Sequence, residues 1–163
     1  MRSDPGSPSH SEQKHQTLVK QARAESDVLL NAMHRLEAAL ASAAPTRERA
    51  WHTQVLEELR TVTNLLDEHA HSVEAADGLL AMIGAARPRL LHRIERLRRE
   101  HVALRQQAGS LQGQIEHLAP DELPNFRDIR HRTTWLLDAL RHHRAAAADL
   151  LFEAFSTDVG VGD

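Results

Sequence analysis

The sequence predicts an all-α protein, specifically an antiparallel up-and-down bundle of four helices. Apolar residues recur at steps of three and four along most of the chain, as the buried face of a packed helix requires. Valine, isoleucine and threonine do not cluster with the alternation that is typical of strands. Three interruptions that contain proline or glycine divide the pattern into four segments, and short connections favour an antiparallel order of neighbouring helices.

The interruptions set the bounds of each predicted element in turn. They contain, in chain order, Pro45 with Thr46 as a helix N-cap, Gly84 with Pro88, and Pro120 with Pro124. The predicted helices therefore cover about residues 14–42, 46–83, 88–118 and 124–155. The whole bundle forms one domain, residues 14–155, between a disordered N-terminal tail, residues 1–13, and a short C-terminal tail, residues 156–163.

Histidines occupy positions inside the apolar stripes of these helices. The stripes of the second, third and fourth helices pass through His69, His101 and His143, and the less regular stripe of the first contains His15. The two tryptophans, Trp51 and Trp135, are predicted to anchor the core.

The stripe histidines are predicted to lie at one level of the bundle. Residues on neighbouring antiparallel helices are level when their mean position falls in the connection between the helices. His69 and His101 have a mean position of 85, in the second break, and His101 and His143 have a mean position of 122, in the third. His15 and His69 have a mean position of 42, at the edge of the first break, so His15 is a weaker fourth member.

A buried layer of imidazoles needs hydrogen-bond partners or a metal ion. Three histidines could hold one iron or zinc ion. A di-iron centre also needs bridging carboxylates near the histidines, and the candidates are Glu74, five residues after His69, and Asp149, six residues after His143. The predicted metal-site residues are therefore His69, His101, His143, His15, Glu74 and Asp149. Two alternatives stay open: a heme between two of the histidines, and a metal-free polar layer that fixes the register of the helices.

Three stretches resemble bacterial hemerythrin-like proteins of the HHE type. They are "LDEHAHSVEAADGLLAMI" in the second helix, "LRREHVALRQQAGSL" in the third and "RHHRAAAADLLFEAF" in the last. The resemblance implies a four-helix bundle with a non-heme di-iron centre, held by histidines and two carboxylates, that binds oxygen, senses oxygen or nitric oxide, or handles iron. By position His69, His101 and His143 match the family's histidines, and Glu74 and Asp149 lie near the places of its carboxylates.

Composition excludes several other classes of function. The chain has no cysteine, so it has no disulfides and no thiolate ligands. Its net charge of −3, its 3% of aromatic residues and the glutamates among its clustered arginines argue against nucleic-acid binding. The sequence contains no catalytic nucleophile motif and no phosphate-binding loop, so nothing in it points to an enzyme.

The expected function is that of a hemerythrin-like iron- or oxygen-binding protein, with one or two non-heme iron ions. The alternative is a metal-free four-helix interaction module, whose protein partner the sequence does not identify. No apolar run approaches the roughly 20 residues that span a bilayer, and the first residues lack the apolar segment of a signal peptide. We therefore expect a cytoplasmic protein that does not associate with membranes.

Overall fold

The computed structural model describes residues 10–42, 47–117 and 126–156, and these residues are almost entirely helical. The four long helices are α1 (His10–Ala41), α2 (Glu48–Glu74), α4 (Leu91–Glu116) and α5 (Phe126–Phe155). A short helix, α3 (Leu79–Ala86), and a 3₁₀ turn (Pro88–Leu90) connect α2 to α4. The described ranges contain no strand, so the prediction of an all-α protein is confirmed. None of their helices is long and apolar enough to cross a membrane.

The first helix begins earlier than predicted. Helix α1 starts at His10, so residues 10–13, which were assigned to the N-terminal tail, are helical. This segment contains no proline or glycine to interrupt the helix. The rest of that tail, most of the C-terminal tail, and the predicted break residues Pro45, Thr46, Pro120 and Pro124 lie outside the described residues.

The prediction of one continuous second helix over residues 46–83 is wrong. Helix α2 ends at Glu74, and the chain turns before it resumes as α3. The N–H of Gly78 donates a hydrogen bond of 2.8 Å to the carbonyl oxygen of Ala75. A Cβ atom at Gly78 would lie 2.7 Å from the carbonyl oxygen of Ser72, so this tight turn requires glycine. The predicted break residue Gly84 instead lies inside α3.

Each long helix packs against its neighbours in a closed order. Helix α1 contacts α2, α2 contacts α4, α4 contacts α5, and α5 contacts α1. Residues later in α1 contact residues earlier in α2. Arg35 pairs with Glu58, and Leu40, further along α1, accepts a hydrogen bond at its carbonyl oxygen from the indole of Trp51. Helix α3 lies against α1, α2 and α4 at one end of this arrangement.

The buried apolar side chains form two clusters, which we call the large core and the small core. The large core contains Leu66, Leu104 and Leu140, and the small core contains the α3 side chains together with Leu97 and Leu150. His69, His101 and His143 lie between the two cores, because in each helix one neighbour along the stripe belongs to the large core and the other to the small core. The histidines therefore form a polar layer inside an otherwise apolar interior.

The two tryptophans differ in their environment. Trp51 is 3% exposed, and its ring centroid lies 4.6 Å from that of Phe126, as expected of a core anchor. Trp135 is 60% exposed, so its prediction as a core residue is wrong. Its neighbours Leu136 and Leu137 supply the buried face of α5 at this point, which directs Trp135 outward.

Candidate metal centre

Three histidines from three helices converge in the polar layer. His69 comes from α2, His101 from α4 and His143 from α5, and they are 9%, 2% and 3% exposed, respectively. The ring centroids of His69 and His101 are 5.6 Å apart, and those of His101 and His143 are 4.5 Å apart, both in edge-on orientations. One ring nitrogen from each lies within 4.8 Å of the other two. The structure thus brings these three side chains together, as their mean positions along the chain predict.

Two of the histidines form hydrogen bonds to glutamates of the preceding long helix. The Nδ1 atom of His101 lies 2.5 Å from Oε1 of Glu74, and the Nδ1 atom of His143 lies 2.9 Å from Oε2 of Glu100. A neutral imidazole that donates its Nδ1–H to a carboxylate presents Nε2 as a lone pair. The two glutamates therefore favour one tautomer and one ring orientation for each histidine.

The third histidine has the same arrangement in a looser form. Nδ1 of His69 lies 3.4 Å from Oε2 of Glu25, slightly beyond hydrogen-bond range. The other carboxylate oxygen of Glu25 accepts hydrogen bonds of 2.9 Å from Ser72 and Gln21, which hold the carboxylate beside the ring. A small rotation of the imidazole would complete a third pair of the same kind.

The second ring nitrogens of His101 and His143 are the strongest indication of a ligand. Both Nε2 atoms are buried, and neither has a hydrogen-bond partner among the described residues. A buried polar atom without a partner costs about 1–3 kcal/mol. Two such atoms in one cluster of three imidazoles are typical of a site that binds something else, and imidazole nitrogen is a common metal ligand.

The electrostatics of the cluster favour the neutral forms of His101 and His69. Burial lowers the pKa of His101, and the neighbouring rings of His143 and His69 add to this effect because adjacent imidazolium charges would repel; together they bring it to about 3. Burial also lowers the pKa of His69, and the negative charge of Glu25 opposes this effect. Neutral rings are the form that binds a metal ion.

The nitrogens of the three histidines are close enough for a metal site after a small adjustment of the rings. With metal–nitrogen bonds of about 2.0–2.1 Å, tetrahedral ligands lie roughly 3.4 Å apart. Since the three histidine nitrogens lie within 4.8 Å of one another, an ion would draw the rings inward by at most about 1 Å. Three protein nitrogens leave a fourth position for an exogenous ligand, as in metal sites that carry out chemistry.

Two predicted site residues do not join this cluster. His15 is half-buried in α1, ten residues before Glu25, and ten residues of helix span about 15 Å. Asp149 is exposed, because its six-residue separation from His143 rotates it roughly 240° around α5. Glu74 does lie at the cluster, but its carboxylate contacts the Nδ1 side of His101.

Sequence reasoning missed Glu25 and Glu100. Both lie outside the apolar stripes. Glu100 is one of the glutamates among the clustered arginines, and it precedes His101 as the "EH" pair in the stretch that resembles the third helix of hemerythrin-like proteins. The signal that identifies them is the same mean-position rule that predicted the histidine layer. The pairs Glu25–His69, Glu74–His101 and Glu100–His143 have mean positions of 47, 87.5 and 121.5, each in or beside a connection between long helices.

The carboxylates around the cluster differ from those that the hemerythrin-like resemblance implies. A di-iron centre needs carboxylates that bridge two ions. Here Glu74 and Glu100 contact Nδ1 atoms and thus lie behind the rings, on the side away from the unpartnered Nε2 atoms. This donor set suits one ion better than two.

Comparisons of the chain with protein-family models, with curated proteins and with solved structures found no match.

Proposed function

We propose that this chain is a metal-binding protein that holds one divalent transition-metal ion, zinc or iron, on His69, His101 and His143. The observation that carries the proposal is the pair of buried, unpartnered Nε2 atoms of His101 and His143 in a cluster of three imidazoles. An ion there would satisfy both atoms. When bound, it would supply positive charge and an open coordination position in the interior.

The glutamates have a defined part in this proposal. A carboxylate that accepts the Nδ1–H of a metal-binding histidine fixes the ring orientation and raises the basicity of the nitrogen that binds the metal. Glu74 and Glu100 are in place for this role on His101 and His143, and Glu25 is close to it on His69. The rings of His101 and His143 are thus oriented before any ion binds, which reduces the ordering that binding requires.

The proposal includes a hemerythrin-like identity and an antiparallel up-and-down bundle. The closed order of contacts among the four long helices supports the bundle, as do their cross-links. Arg60 of α2 pairs with Glu116, near the end of α4, while His101, earlier in α4, bonds to Glu74, later in α2. The proposed site holds one ion in place of two. If that ion is iron, the expected role is to bind or sense oxygen or nitric oxide.

The test is metal binding by protein made without a polyhistidine tag. Elemental analysis after purification, followed by titration of chelator-treated protein with Zn²⁺ or Fe²⁺, is expected to give one ion per chain. Substitution His143→Gln should abolish this binding. The matched control is His142→Gln, because His142 is the adjacent residue but is exposed and bonded to the carbonyl oxygen of Asp138. This control should bind as the wild type does.

Three outcomes would contradict the proposal. Two irons per chain would mean a di-iron centre built with carboxylates that the cluster does not place between the rings. Equal metal affinity in His143→Gln and wild type would remove His143 from the site. No binding at all would favour the alternative, a metal-free interaction module in which the histidine layer between the two cores fixes the register of the helices.

A further inference from the structure

The three histidines line a large cleft, which reaches the surface at exposed residues such as Asp149 and Phe152. The cleft has a volume of ≈ 770 Å³, within the range of sites that bind small molecules. Its walls come from all five helices, and α3 contributes an apolar part of the lining. The main apolar lining residues are Leu79, Leu80, Ile83, Leu97, Leu150 and Leu151. The cleft therefore joins a group of imidazole nitrogens to a predominantly hydrophobic space.

Small side chains leave the space for this cleft. Ala147 and Ala148 on α5 and Ala22 on α1 line it, at positions where a leucine would fill much of the volume. Small residues alone do not define a binding site. The same cleft, however, is lined by His101 and His143, whose buried Nε2 atoms have no partner in the described part of the chain. These two independent features both indicate a ligand.

Three arginines line the cleft, Arg23, Arg141 and Arg144, and Arg144 is the least exposed of them. Arg144 follows His143 and lines the cleft. Its Nε atom donates a hydrogen bond of 3.0 Å to Oγ of Ser26, and its Nη2 atom lies 3.8 Å from Oδ1 of Asp27. The charge of Arg144 contributes to lowering the pKa of His69, so it acts on the cluster itself. A guanidinium has five N–H donors, and these two contacts use Nε and Nη2.

We propose that the cleft binds a small organic carboxylate with an apolar body. Its carboxylate lies between Arg144 and the histidine cluster, and its apolar body lies against the leucines and isoleucine contributed by α3 to α5. Arginine is well suited to a carboxylate because its planar fork can donate two parallel hydrogen bonds. An uncharged or cationic molecule of the same shape would leave Arg144 without this partner.

The inference deepens the proposed function and rests on it in one respect. Neutral imidazoles present lone pairs at Nε2, which do not attract an anion. A divalent ion on the three histidines would reverse the local charge and give the carboxylate a second partner. The carboxylate should therefore bind to the metal-free protein through Arg144 alone, and more tightly after metal loading.

The experiment is a calorimetric titration of metal-free and zinc-loaded protein with n-octanoate. Uncharged n-octanol and cationic n-octylamine serve as comparison ligands. Zinc loading is expected to tighten octanoate binding about tenfold or more, since hydrogen bonds and contacts to charged groups are the stronger ones. Substitution Arg144→Gln should weaken octanoate binding by a similar factor, with little effect on n-octanol.

A second variant tests the cleft without removing a charge. Ala147→Leu fills part of the volume and should weaken octanoate binding while zinc binding is retained. Its control is Ala38→Leu, at an exposed position of α1 away from the cleft. Circular dichroism confirms that each variant keeps the helical content of the wild type before its binding is compared.

The outcomes separate this inference from the proposed function. Zinc binding without octanoate binding, or equal affinity for octanoate and n-octanol, would overturn the inference and leave the metal site standing. Octanoate binding that depends on Arg144 and Ala147 in a protein that takes no zinc would support the cleft and overturn the metal proposal. Failure to bind either ligand would overturn both.

Discussion

Acidification should destabilise this protein through its buried histidines, and His101 gives the sharpest form of the prediction. Burial, followed by the neighbouring rings of His143 and His69, lowers the pKa of His101 to about 3. In the unfolded chain the same ring has a pKa of about 6.5. Between these values the unfolded state binds a proton that the folded state excludes, so the free energy of unfolding falls as the pH falls. The contribution is fully present above about pH 6.5 and is lost progressively towards the folded pKa of about 3.

The expected magnitude follows from these two pKa values. Between about pH 7 and pH 5 the folded ring stays neutral while most unfolded chains take up the proton, which lowers the free energy of unfolding by about 2 kcal/mol. Charged groups also act on this ring: Glu100 raises its pKa and Arg105 lowers it, both less than burial and the neighbouring rings do, while Oε1 of Glu74 in α2 lies 2.5 Å from its Nδ1. Since the pKa of His69 is also lowered, the wild type should lose more than His101 alone accounts for.

The assay is urea unfolding of chelator-treated protein, followed by circular dichroism at several pH values in this range. The variant His101→Gln should lose about 2 kcal/mol less than the wild type between about pH 7 and pH 5. The variant His92→Gln is the control, because His92 lies on the same helix and is exposed. It should keep the pH dependence of the wild type. The same pH dependence in His101→Gln and wild type would refute the reasoning, because it would mean that His101 is solvated when the protein is folded.

Further predictions concern the metal site, the turn and the core. Glu100→Gln should weaken zinc binding about 10–100-fold in a chelator competition, because Glu100 accepts the hydrogen bond of His143. Glu95→Gln is the control and should not weaken it, because Glu95 is an exposed partner of Arg98. Equal effects of the two substitutions would contradict the proposed role of Glu100. Gly78→Ala should destabilise the protein by about 1–3 kcal/mol, because the new Cβ meets backbone oxygens. Gly109→Ala should stabilise the protein by about 0.5–1 kcal/mol, because a Cβ atom at this helical position would have no neighbour within 4 Å. Thermal unfolding that ranks the two variants in the reverse order would contradict the description of the turn. Leu140→Ala in the large core should cost about 2–5 kcal/mol in urea unfolding, and a loss below about 1 kcal/mol would contradict its burial.

The long helices could be predicted from the sequence because their apolar periodicity is regular, but one interruption could not. The stripe of the second predicted helix continues through Val73, Leu80 and Ile83, so periodicity gives no sign that the helix ends at Glu74. The stripe continues because α3 packs into the same small core as the last turn of α2. A single glycine, Gly78, marks the turn, and an isolated glycine in a helical pattern is weak evidence of a break.

The candidate site was predictable in part for a related reason. The histidines lie in apolar stripes, where a polar residue stands out. That the three histidines lie at the same height along the helices follows from the lengths of the helices. Glu25 and Glu100 lie at the edges of their helices' buried faces, where acidic residues are ordinary. Their roles depend on residues of another helix, since Glu100 contacts His143 of α5 and not the adjacent His101. Adjacent residues on a helix point in different directions, so the "EH" pair misleads when it is interpreted locally.

The order of the three glutamate–histidine contacts has a consequence for the integrity of the chain. Glu25 and His69 lie in the first two long helices, Glu100 and His143 lie in the last two, and Glu74 with His101 joins the two halves. A chain cleaved in the 3₁₀ turn between α3 and α4 would yield two fragments, each with one glutamate–histidine pair and neither with all three histidines. Reassociation of the two fragments would restore the third pair and the proposed metal site in the same event. Metal binding would then require both fragments, so a measurement of metal affinity would report whether they have paired.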